Sequence, residues 1–369
     1  MRVRIRGRDQ RPEQGKHWPE EPQETPQPQG GEAGSQIVET QIVETQPTAA
    51  EPPAPDVSED PITVADEMYE DVTAPEVEVA DTPRPPGKKA QRAAVDWSDV
   101  PEPEPDADTA YIPRPVPRIM AVANQKGGVG KTTTAVNLGA GLAEIGFRVL
   151  VVDLDPQGNA TTGLGIDGRS FELSMYDVLM RDSKLEDAIE PTSMKNLFVA
   201  PATIDLAGAE IELVPTFSRE LKLRRALETV IDDFDYILID CPPSLGLITV
   251  NGLAAADEVL VPIQCEYYAL EGLGQLLRNV HLVQANLNEK LDVSTIVLTM
   301  YDARTKLAEQ VADEVRLHFG NKVCRNVIPR TVRISEAPSF GQPITTFDPT
   351  SRGAIAYREL AKEVSGGAS

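Results

Sequence analysis

The sequence has few residues of the kinds that build metal centres or covalent active sites. It contains three cysteines and three histidines in 369 residues. The cysteines, Cys241, Cys265 and Cys324, lie far apart without metal-ligand spacing, so we expect reduced thiols. The histidines are equally scattered. Both observations argue against a zinc site or a histidine-based nucleophilic site.

Long apolar runs are also absent. Residues 1–8 are basic but no apolar segment follows them, so we expect neither a signal peptide nor a membrane span, and we expect a cytoplasmic protein. The formal net charge is −23. This acidity argues against a broad basic surface, although it leaves room for a local basic patch.

Composition divides the chain into two parts. Residues 1–117 hold 20 of the 31 prolines and carry 25 acidic against 11 basic side chains. Such a segment buries too little apolar surface to offset its ordering entropy, so we predict a disordered, acidic, proline-rich tail. Its repeated five-residue segment, at 36–40 and 41–45, is low complexity. Residues 118–369 are predicted to form one domain.

Short apolar runs that lead into polar loops recur along this domain. They are residues 119–123, 148–153, 236–240, 259–263 and 295–299. Between the first two runs, apolar residues recur at the spacing of a helix. The pattern therefore predicts an α/β fold with a mostly parallel twisted sheet and helices on both faces. Ligands bind beyond the carboxyl ends of such strands. Asp153, Asp155 and Asp240 fall at those ends.

A glycine-rich loop follows the first predicted strand. Its end, Gly130-Lys131-Thr132, matches the P-loop pattern Gly-x4-Gly-Lys-Ser/Thr. Backbone N–H groups of such a loop surround phosphate oxygens, and the helix N-terminus adds positive charge. We expect Lys131 to reach the β- and γ-phosphates of ATP and the Thr132 hydroxyl to ligate Mg²⁺. The predicted nucleotide-binding residues are Lys126, Gly127, Gly128, Val129, Gly130, Lys131, Thr132 and Thr133.

Acidic residues at two strand ends extend the predicted site. Asp240 closes an apolar strand, which is the Walker B arrangement, and we expect it to hold Mg²⁺ directly or through water. Asp153 and Asp155 follow the second strand. We expect their loop to sense a γ-phosphate and to position an attacking water. Beside a P-loop, these roles are favoured over turn formation or helix capping.

The start of the loop departs from the general pattern. Gln125 replaces the first glycine, and Lys126 follows it. Lys131 is satisfied by the phosphates of its own loop, whereas Lys126 has no obvious role in the same cradle. Two lysines in this arrangement are typical of the deviant Walker A class. The first lysine of that class reaches across a dimer interface to the nucleotide of the other protomer.

Six blocks in order resemble chromosome partitioning ATPases of the ParA or Soj type. They are residues 124–134, 153–160, 240–244, 266–272, 302–305 and 336–341. The resemblance covers essentially all of 118–369 but not the tail. It implies that ATP with Mg²⁺ closes two protomers into a homodimer, which binds DNA without sequence preference and is associated with the nucleoid. It also implies that a ParB-type, centromere-binding partner stimulates hydrolysis and releases the dimer.

The resemblance assigns roles to particular residues. Lys126 would act in trans, Lys131 and Thr132 would contact phosphate and Mg²⁺, and Asp155 would support hydrolysis. Arg304 and Arg333 match positions that the family uses for DNA. Without the motif match, a lone arginine on the nearly neutral surface of residues 300–369 is more simply a solvated side chain.

A MinD-like, membrane-cycling ATPase is the main alternative. It should end in a basic amphipathic anchor. Here the last segment has Glu359 and Glu363 on its polar face, while Leu360 and Val364 form an apolar stripe. We therefore expect this segment to pack on the domain, and we expect no membrane partner.

Two further alternatives have weaker support. An iron–sulfur component would need cysteines placed to bridge a cluster between protomers, and Cys241 and Cys265 lie in no such motif. An adaptor that binds ATP without turnover is opposed by the presence of Asp155.

Overall fold

The structure is a computed structural model that describes residues 115–266 and 269–366. The predicted tail, residues 1–117, lies almost entirely outside the described residues. Its disorder and the domain boundary at residue 118 therefore stay predictions.

Seven strands of the described residues form one sheet. The strands are β1 (Arg118–Val122), β2 (Val149–Asp153), β3 (Glu190–Pro191), β4 (Leu197–Ala200), β5 (Tyr236–Asp240), β6 (Glu258–Gln264) and β7 (Asp292–Thr299). Their order is β3-β4-β2-β5-β1-β6-β7. All neighbours pair in parallel except β3, which runs antiparallel to β4 at one edge.

Helices connect the strands. They are α1 (Lys131–Glu144), α2 (Asn159–Gly163), α3 (Met175–Met180), α4 (Leu185–Ala188), α5 (Leu206–Glu212), α6 (Lys222–Leu227), α7 (Leu247–Ala255), α8 (Ala269–Asn286), α9 (Lys306–Phe319), α10 (Val332–Glu336), α11 (Ile344–Phe347) and α12 (Arg352–Val364). Short 3₁₀ turns lie at Arg219–Leu221, Ile231–Asp233, Gly320–Lys322 and Ala337–Phe340.

Both faces of the sheet are covered, because every residue of the central strands is apolar or buried and side chains alternate between the faces. Along β1, Ile119 and Ala121 belong to the core beneath α3 and α5–α9. Met120 and Val122 belong to the second core, beneath α1 and α10–α12. The predicted mostly parallel sheet with helices on both faces is confirmed.

All five predicted strands are present, with ends that differ by up to three residues from those predicted. The edge hairpin β3–β4 and the short helices α2–α6 were not predicted. β3 has two residues, one of them Pro191, and β4 has four. Segments this short carry too little periodicity to identify.

The last helix packs on the domain, as predicted. Leu360 and Val364 are buried in the core that α12 shares with α1. Gly141 permits this contact, because a Cβ there would lie 2.9 Å from the Cβ of Ala361. Arg118, at the start of β1, donates to the carbonyl oxygen of Val364 at 2.5 Å. The two ends of the described domain are therefore joined.

Candidate nucleotide-binding site

Hydrogen bonds from the side chains of Asn124 and Thr299 hold the loop between β1 and α1 at both ends. Asn124 is buried; its amide donates to the Pro262 carbonyl at 2.8 Å, and its side-chain oxygen accepts from the Lys126 N–H at 3.0 Å. The Thr299 hydroxyl donates to the Val129 carbonyl at 2.8 Å. These bonds fix a glycine-rich turn between two buried anchors.

The glycines of this loop provide both conformation and space. Gly128 and Gly130 have φ of +74° and +88°, which L side chains rarely adopt. A Cβ at Gly127 or Gly128 would meet nothing within 4 Å. The loop therefore leaves an open surface of backbone that an anion can approach closely.

Helix α1 begins directly after the loop without a side-chain cap. Gly130 is its N-cap residue and provides no side-chain hydrogen bond. The first N–H groups of a helix lack partners within the helix and carry a partial positive charge. At this terminus they face the glycine loop, which is the arrangement that binds phosphate in many proteins.

Lys131 lies in the first turn of α1 and is largely buried. Its ammonium group donates to the Lys126 carbonyl at 3.2 Å. Burial lowers the pKa of Lys131, and the carboxylate of Asp240 is the main group opposing this effect. The Lys131 ammonium group, buried beside the glycine-rich loop, is well placed to pair with an anionic ligand.

Asp240 ends β5 beside Asp153, which ends β2, because the two strands are parallel and these residues are in register. Asp240 is fully buried, and neither carboxylate oxygen makes a hydrogen bond of normal geometry to any described residue. Burial raises its pKa well above the ordinary value, and the nearby Asp153 adds to the rise; the Thr132 side chain and the charge of Lys131 oppose it.

Asp153 is buried at the end of β2, the strand end at which the sequence placed it. Its carboxylate accepts from the Thr161 hydroxyl at 2.7 Å, the Thr161 N–H at 2.8 Å and the Asp155 N–H at 3.1 Å. Burial raises its pKa to about 6. With its oxygens bonded in this way, Asp153 holds the start of the loop that carries Asp155.

Asp155 is the half-buried carboxylate of the same loop. One of its oxygens accepts from the Gln157 N–H at 3.0 Å, and the Gly158 N–H donates to its carbonyl at 2.9 Å. The Thr161 hydroxyl also accepts from the Ala202 N–H at 3.0 Å, which ties this loop to the end of β4. Asp155 thus sits in a tight turn supported by Asp153 and Thr161.

Lys126 lies at the outer side of the loop. Its side chain is about one-third exposed, and its ammonium nitrogen is 3.5 Å from a carboxylate oxygen of Glu266. The contact is long and exposed, so it contributes little to stability. Lys126 is therefore accessible, in contrast to the buried Lys131.

Arg304 and Arg333 lie on two segments that meet after β7. A bridge pairs Tyr301 with Pro329, which brings the loop before α9 beside the segment before α10. Arg304 is exposed, and its guanidinium group donates two hydrogen bonds to the Asp302 carboxylate, at 2.7 and 2.9 Å. Arg333 pairs with Glu336 at 3.1 Å and with Asp348 at 3.2 Å.

Sequence reasoning did not single out the residues that support the site. These are Asn124, Thr161, Glu266 and Thr299, with Arg330 as a further exposed arginine beside the Tyr301 bridge. Asn124 opens the first motif block, directly after a predicted strand, and Thr161 lies one residue beyond the block 153–160, in the short helix α2. Those positions in the sequence could have indicated that the two residues support the site. Thr299 and Arg330 were recognisable only from the fold.

Known proteins match the same part of the chain. A family described as "AAA domain" matches residues 117–293. The sporulation initiation inhibitor protein Soj of Bacillus subtilis is 62% identical over 247 residues, which are 67% of this chain and 98% of that protein. The chromosome partitioning protein ParA of Caulobacter vibrioides is 54% identical over 249 residues, 67% of this chain and 93% of that protein.

The chain belongs to the Soj/ParA family of chromosome partitioning ATPases. The family that the motif blocks predicted is thus confirmed. The aligned segments are 247 and 249 residues long, and these two relatives are covered nearly end to end.

Solved structures show the same fold. A Mycobacterium smegmatis protein described as cobyrinic acid a,c-diamide synthase, with bound ADP and magnesium, is 44% identical with a TM-score of 0.59, covering 67% of this chain and 93% of that one. The cell division ATPase MinD of Pyrococcus furiosus is 30% identical with a TM-score of 0.56, covering 68% and 98%.

Proposed function

We propose that this chain is a partitioning ATPase that binds ATP with Mg²⁺ in the loop between β1 and α1. The observation that carries the proposal is the buried, unbonded carboxylate of Asp240 close to Lys131, at the uncapped start of α1. A buried carboxyl group whose oxygens accept no hydrogen bond is costly, whether or not it is ionised. A cation with its phosphate ligand would satisfy Asp240, Lys131 and the helix N-terminus together.

The donor set fits magnesium. Mg²⁺ prefers oxygen ligands and usually takes one or two from the protein. Thr132 supplies a hydroxyl in the first turn of α1, and Asp240 supplies carboxylate oxygens, directly or through water. When bound, the ion would neutralise charge on the transferred phosphoryl group. Phosphate contacts would come from Lys131 and the backbone of Lys126, Gly127, Gly128, Val129, Gly130, Thr132 and Thr133.

Two lysines would have separate tasks. Lys131 is buried beside Asp240 and would pair with the phosphates of its own loop. Lys126 is accessible at the outer side of the loop. In an ATP-dependent homodimer it would leave Glu266 and reach the nucleotide of the second protomer. Closing the dimer would then require nucleotide in both loops.

Asp155 would support hydrolysis. Its carboxylate is half-buried in the turn after β2, and the bonded pair Asp153–Thr161 fixes the position of that turn. A carboxylate so placed can orient a water and accept its proton. We assign to Asp153 the role of positioning Asp155, not of binding the phosphate.

DNA binding would use Arg304 and Arg333. Both lie on the segments joined by the Tyr301–Pro329 bridge, away from the glycine loop in sequence, and both are exposed enough to reach phosphates. Phosphate contacts carry no sequence information. Non-specific DNA binding by the dimer, hydrolysis stimulated by a ParB-type centromere-binding partner, and a nucleoid-associated cytoplasmic location complete the proposal.

The test is the ATPase rate measured with Mg²⁺ alone, with DNA, with the centromere-binding partner and with both. We expect the highest rate with both. Lys131→Ala should abolish binding of a fluorescent ATP analogue, whereas Lys126→Ala should bind it normally but fail to dimerise or turn over. Near-normal binding by Lys131→Ala would refute the nucleotide site. Normal ATP-dependent dimers in Lys126→Ala, seen by light scattering, would refute the action in trans.

Membrane cycling of the MinD kind has less support. Leu360 and Val364 of the last helix are buried against α1 and are not available to a bilayer without undocking. Within the described ranges, every helix is too short or too polar to span a membrane. Flotation with anionic liposomes in ATP and in ADP would detect membrane binding and would overturn this preference.

The amide-forming activity described for the Mycobacterium smegmatis protein also has less support here. A route to an amide through a covalent cysteine intermediate calls for a reactive thiolate. Cys241, Cys265 and Cys324 are all buried, and burial raises the pKa of each thiol. Such thiols are inert at neutral pH.

A further inference from the structure

One motif block, residues 336–341, is not used by the proposed function. It begins at the end of α10, which carries Arg333, and continues through the 3₁₀ turn Ala337–Phe340. Helix α11 follows, and it packs against α1, the helix that begins at the phosphate loop. We call residues 337–348 the linking segment, because they lie in contact with elements of the nucleotide site and with Arg333.

Asn137 joins the linking segment to the first turn of α1. Its side chain is buried, and its side-chain oxygen accepts from the Ile344 N–H at 2.6 Å. Its side-chain nitrogen donates to the Thr133 carbonyl at 2.7 Å. Thr133 follows Thr132 in the turn that we assign to phosphate and Mg²⁺. Since one buried amide is bonded on both sides, a displacement of that turn would be passed to Ile344.

A pair of glycines joins the linking segment to the loop of Asp155. Gly165 follows α2, which begins directly after the turn of Asp155, and Gly341 ends the 3₁₀ turn. A Cβ on Gly165 would lie 2.8 Å from the Gly341 carbonyl oxygen, and a Cβ on Gly341 would lie 2.9 Å from the Gly165 Cα. The two backbones therefore touch without room for a side chain. Their φ angles, +79° and +62°, also favour glycine.

The other end of the linking segment holds Arg333. The Asp348 carboxylate pairs with the guanidinium group at 3.2 Å, and the guanidinium carbon lies 5.7 Å from the centre of the Phe347 ring. Phe347 in turn stacks on Phe340, with ring centres 4.8 Å apart. The Arg333 side chain is half-exposed, so these contacts fix the direction of its guanidinium group. A movement of Phe347 and Asp348 would redirect it.

We propose that Asn137 is a positioning residue that sets Arg333 according to the state of the nucleotide site, with the Gly165–Gly341 contact as a second link. This inference rests on the proposed function, which supplies the nucleotide and the DNA. The nucleotide contacts the start of α1 and the loop after β2. Close-packed interiors transmit such shifts instead of absorbing them. The linking segment carries them to the groups that hold Arg333, so the nucleotide controls DNA affinity beyond its effect on dimerisation.

The experiment uses the full chain with a non-hydrolysable ATP analogue or with ADP, and a short DNA duplex as the probe. Asn137→Ala and Gly165→Ala break the two links separately. Asn286→Ala is the control for the first, because this exposed asparagine of α8 also donates to the carbonyl four residues before it, at 2.8 Å. Gly320→Ala is the control for the second, because Gly320 has a φ of +51° but open space around its Cβ.

Fluorescence anisotropy at low salt gives the DNA affinity in each nucleotide. Nucleotide affinity and melting temperature are measured in parallel, and DNA affinities are compared at equal dimer fractions, set by light scattering. We expect the ratio of DNA affinity in the ATP analogue to that in ADP to fall at least about fivefold in Asn137→Ala and Gly165→Ala, the lower end of usual allosteric couplings. Nucleotide affinity without DNA should stay close to wild type. Both controls should keep the ratio.

Two further measurements separate positioning from a structural role. Linkage requires that the factor by which DNA raises the affinity for the ATP analogue falls equally in the test variants. In an Arg333→Ala background, Asn137→Ala should lower the ratio no further, because both changes remove the same effect. Equal losses of DNA affinity in ATP analogue and ADP would show that Asn137 only supports the fold, and would overturn the inference.

Phe347→Leu tests the same path from its other end and decides the question if either test variant fails to fold. It removes the ring beside Arg333 without changing a bond to α1 or α2. We expect the ratio to fall here too, and an unchanged ratio would overturn the inference. Wild-type DNA binding with unchanged ratios in all three variants refutes this inference alone. If the wild-type chain does not bind DNA in either nucleotide, the proposed function fails and the inference fails with it.

Discussion

Replacing Asp302 by asparagine should strengthen DNA binding, because it removes the carboxylate that competes with DNA phosphates for Arg304. The side-chain bonds from Arg304 hold the pKa of Asp302 at about 2, so Asp302 is charged at any physiological pH. Asparagine keeps an oxygen that can accept from the Arg304 N–H, a bond of 3.1 Å in the wild type. The loop should therefore keep its conformation while the arginine is released.

The size of the effect follows from the exposure of the pair. The Arg304 side chain is 89% exposed, so water and salt screen its attraction to Asp302. Exposed pairs shift an equilibrium by about 1.5- to 5-fold. We expect DNA affinity to rise within that range for each protomer. The salt dependence should stay the same, because the number of phosphate contacts does not change.

Fluorescence anisotropy with a short duplex, in ATP and across a salt series, measures both quantities. Asp313→Asn is the matched control, since it removes one exposed negative charge from α9 without releasing an arginine. Arg304→Ala should weaken binding to all sequences and lower the salt slope by about 0.9. Equal affinity gains in Asp302→Asn and Asp313→Asn would show that only net charge matters. An unchanged slope in Arg304→Ala would place the DNA surface elsewhere.

Three further changes test the support of the site. Thr161→Val should remove one of the three hydrogen bonds to Asp153 and leave the Ala202 N–H without its partner, which costs about 1–3 kcal/mol, while Thr161→Ser keeps both hydroxyl bonds. Equal melting temperatures for the two variants would contradict this. Asp155→Ala should still bind ATP and dimerise but hydrolyse at least about 100-fold more slowly, giving long-lived DNA-bound dimers, and rapid release from DNA in ATP would argue against it. Gly141→Ala should destabilise by about 1–3 kcal/mol through overpacking against α12. Ala361→Gly should relieve part of that loss, and urea unfolding that ranks Gly141→Ala with the unobstructed Gly274→Ala would refute the close contact.

The phosphate loop and the parallel sheet could be predicted because their signals are local. A run of apolar residues identifies a buried strand, and the glycines and Lys131 that follow it have fixed spacing. The same holds for Asp240 at the end of β5. The conformation of the loop and the binding of phosphate both require particular residues at fixed spacing, so few unrelated sequences contain these patterns.

What the sequence could not reveal depends on packing between distant segments. The role of Asp153 rests on Thr161, whose hydroxyl also binds Ala202, 41 residues later. Only the placement of β4 beside β2 brings them together. Similarly, Ile211 and Phe217 are apolar and would ordinarily be assigned to a core. They are 77% and 90% exposed, and in α5 and its C-cap it is Leu206 and Leu213 that are buried instead of Ile211.

The lack of hydrogen bonds to the Asp240 carboxylate also affects the stability of the protein against unfolding and proteolysis. The fold holds the buried Asp240 carboxyl group close to the partly desolvated Lys131, and a nucleotide with its cation would satisfy both. Any ligand that binds only the folded chain shifts the unfolding equilibrium by mass action. Nucleotide would then act as a folding ligand as well as an assembly signal, and the population most open to proteases would be the one that has released its nucleotide.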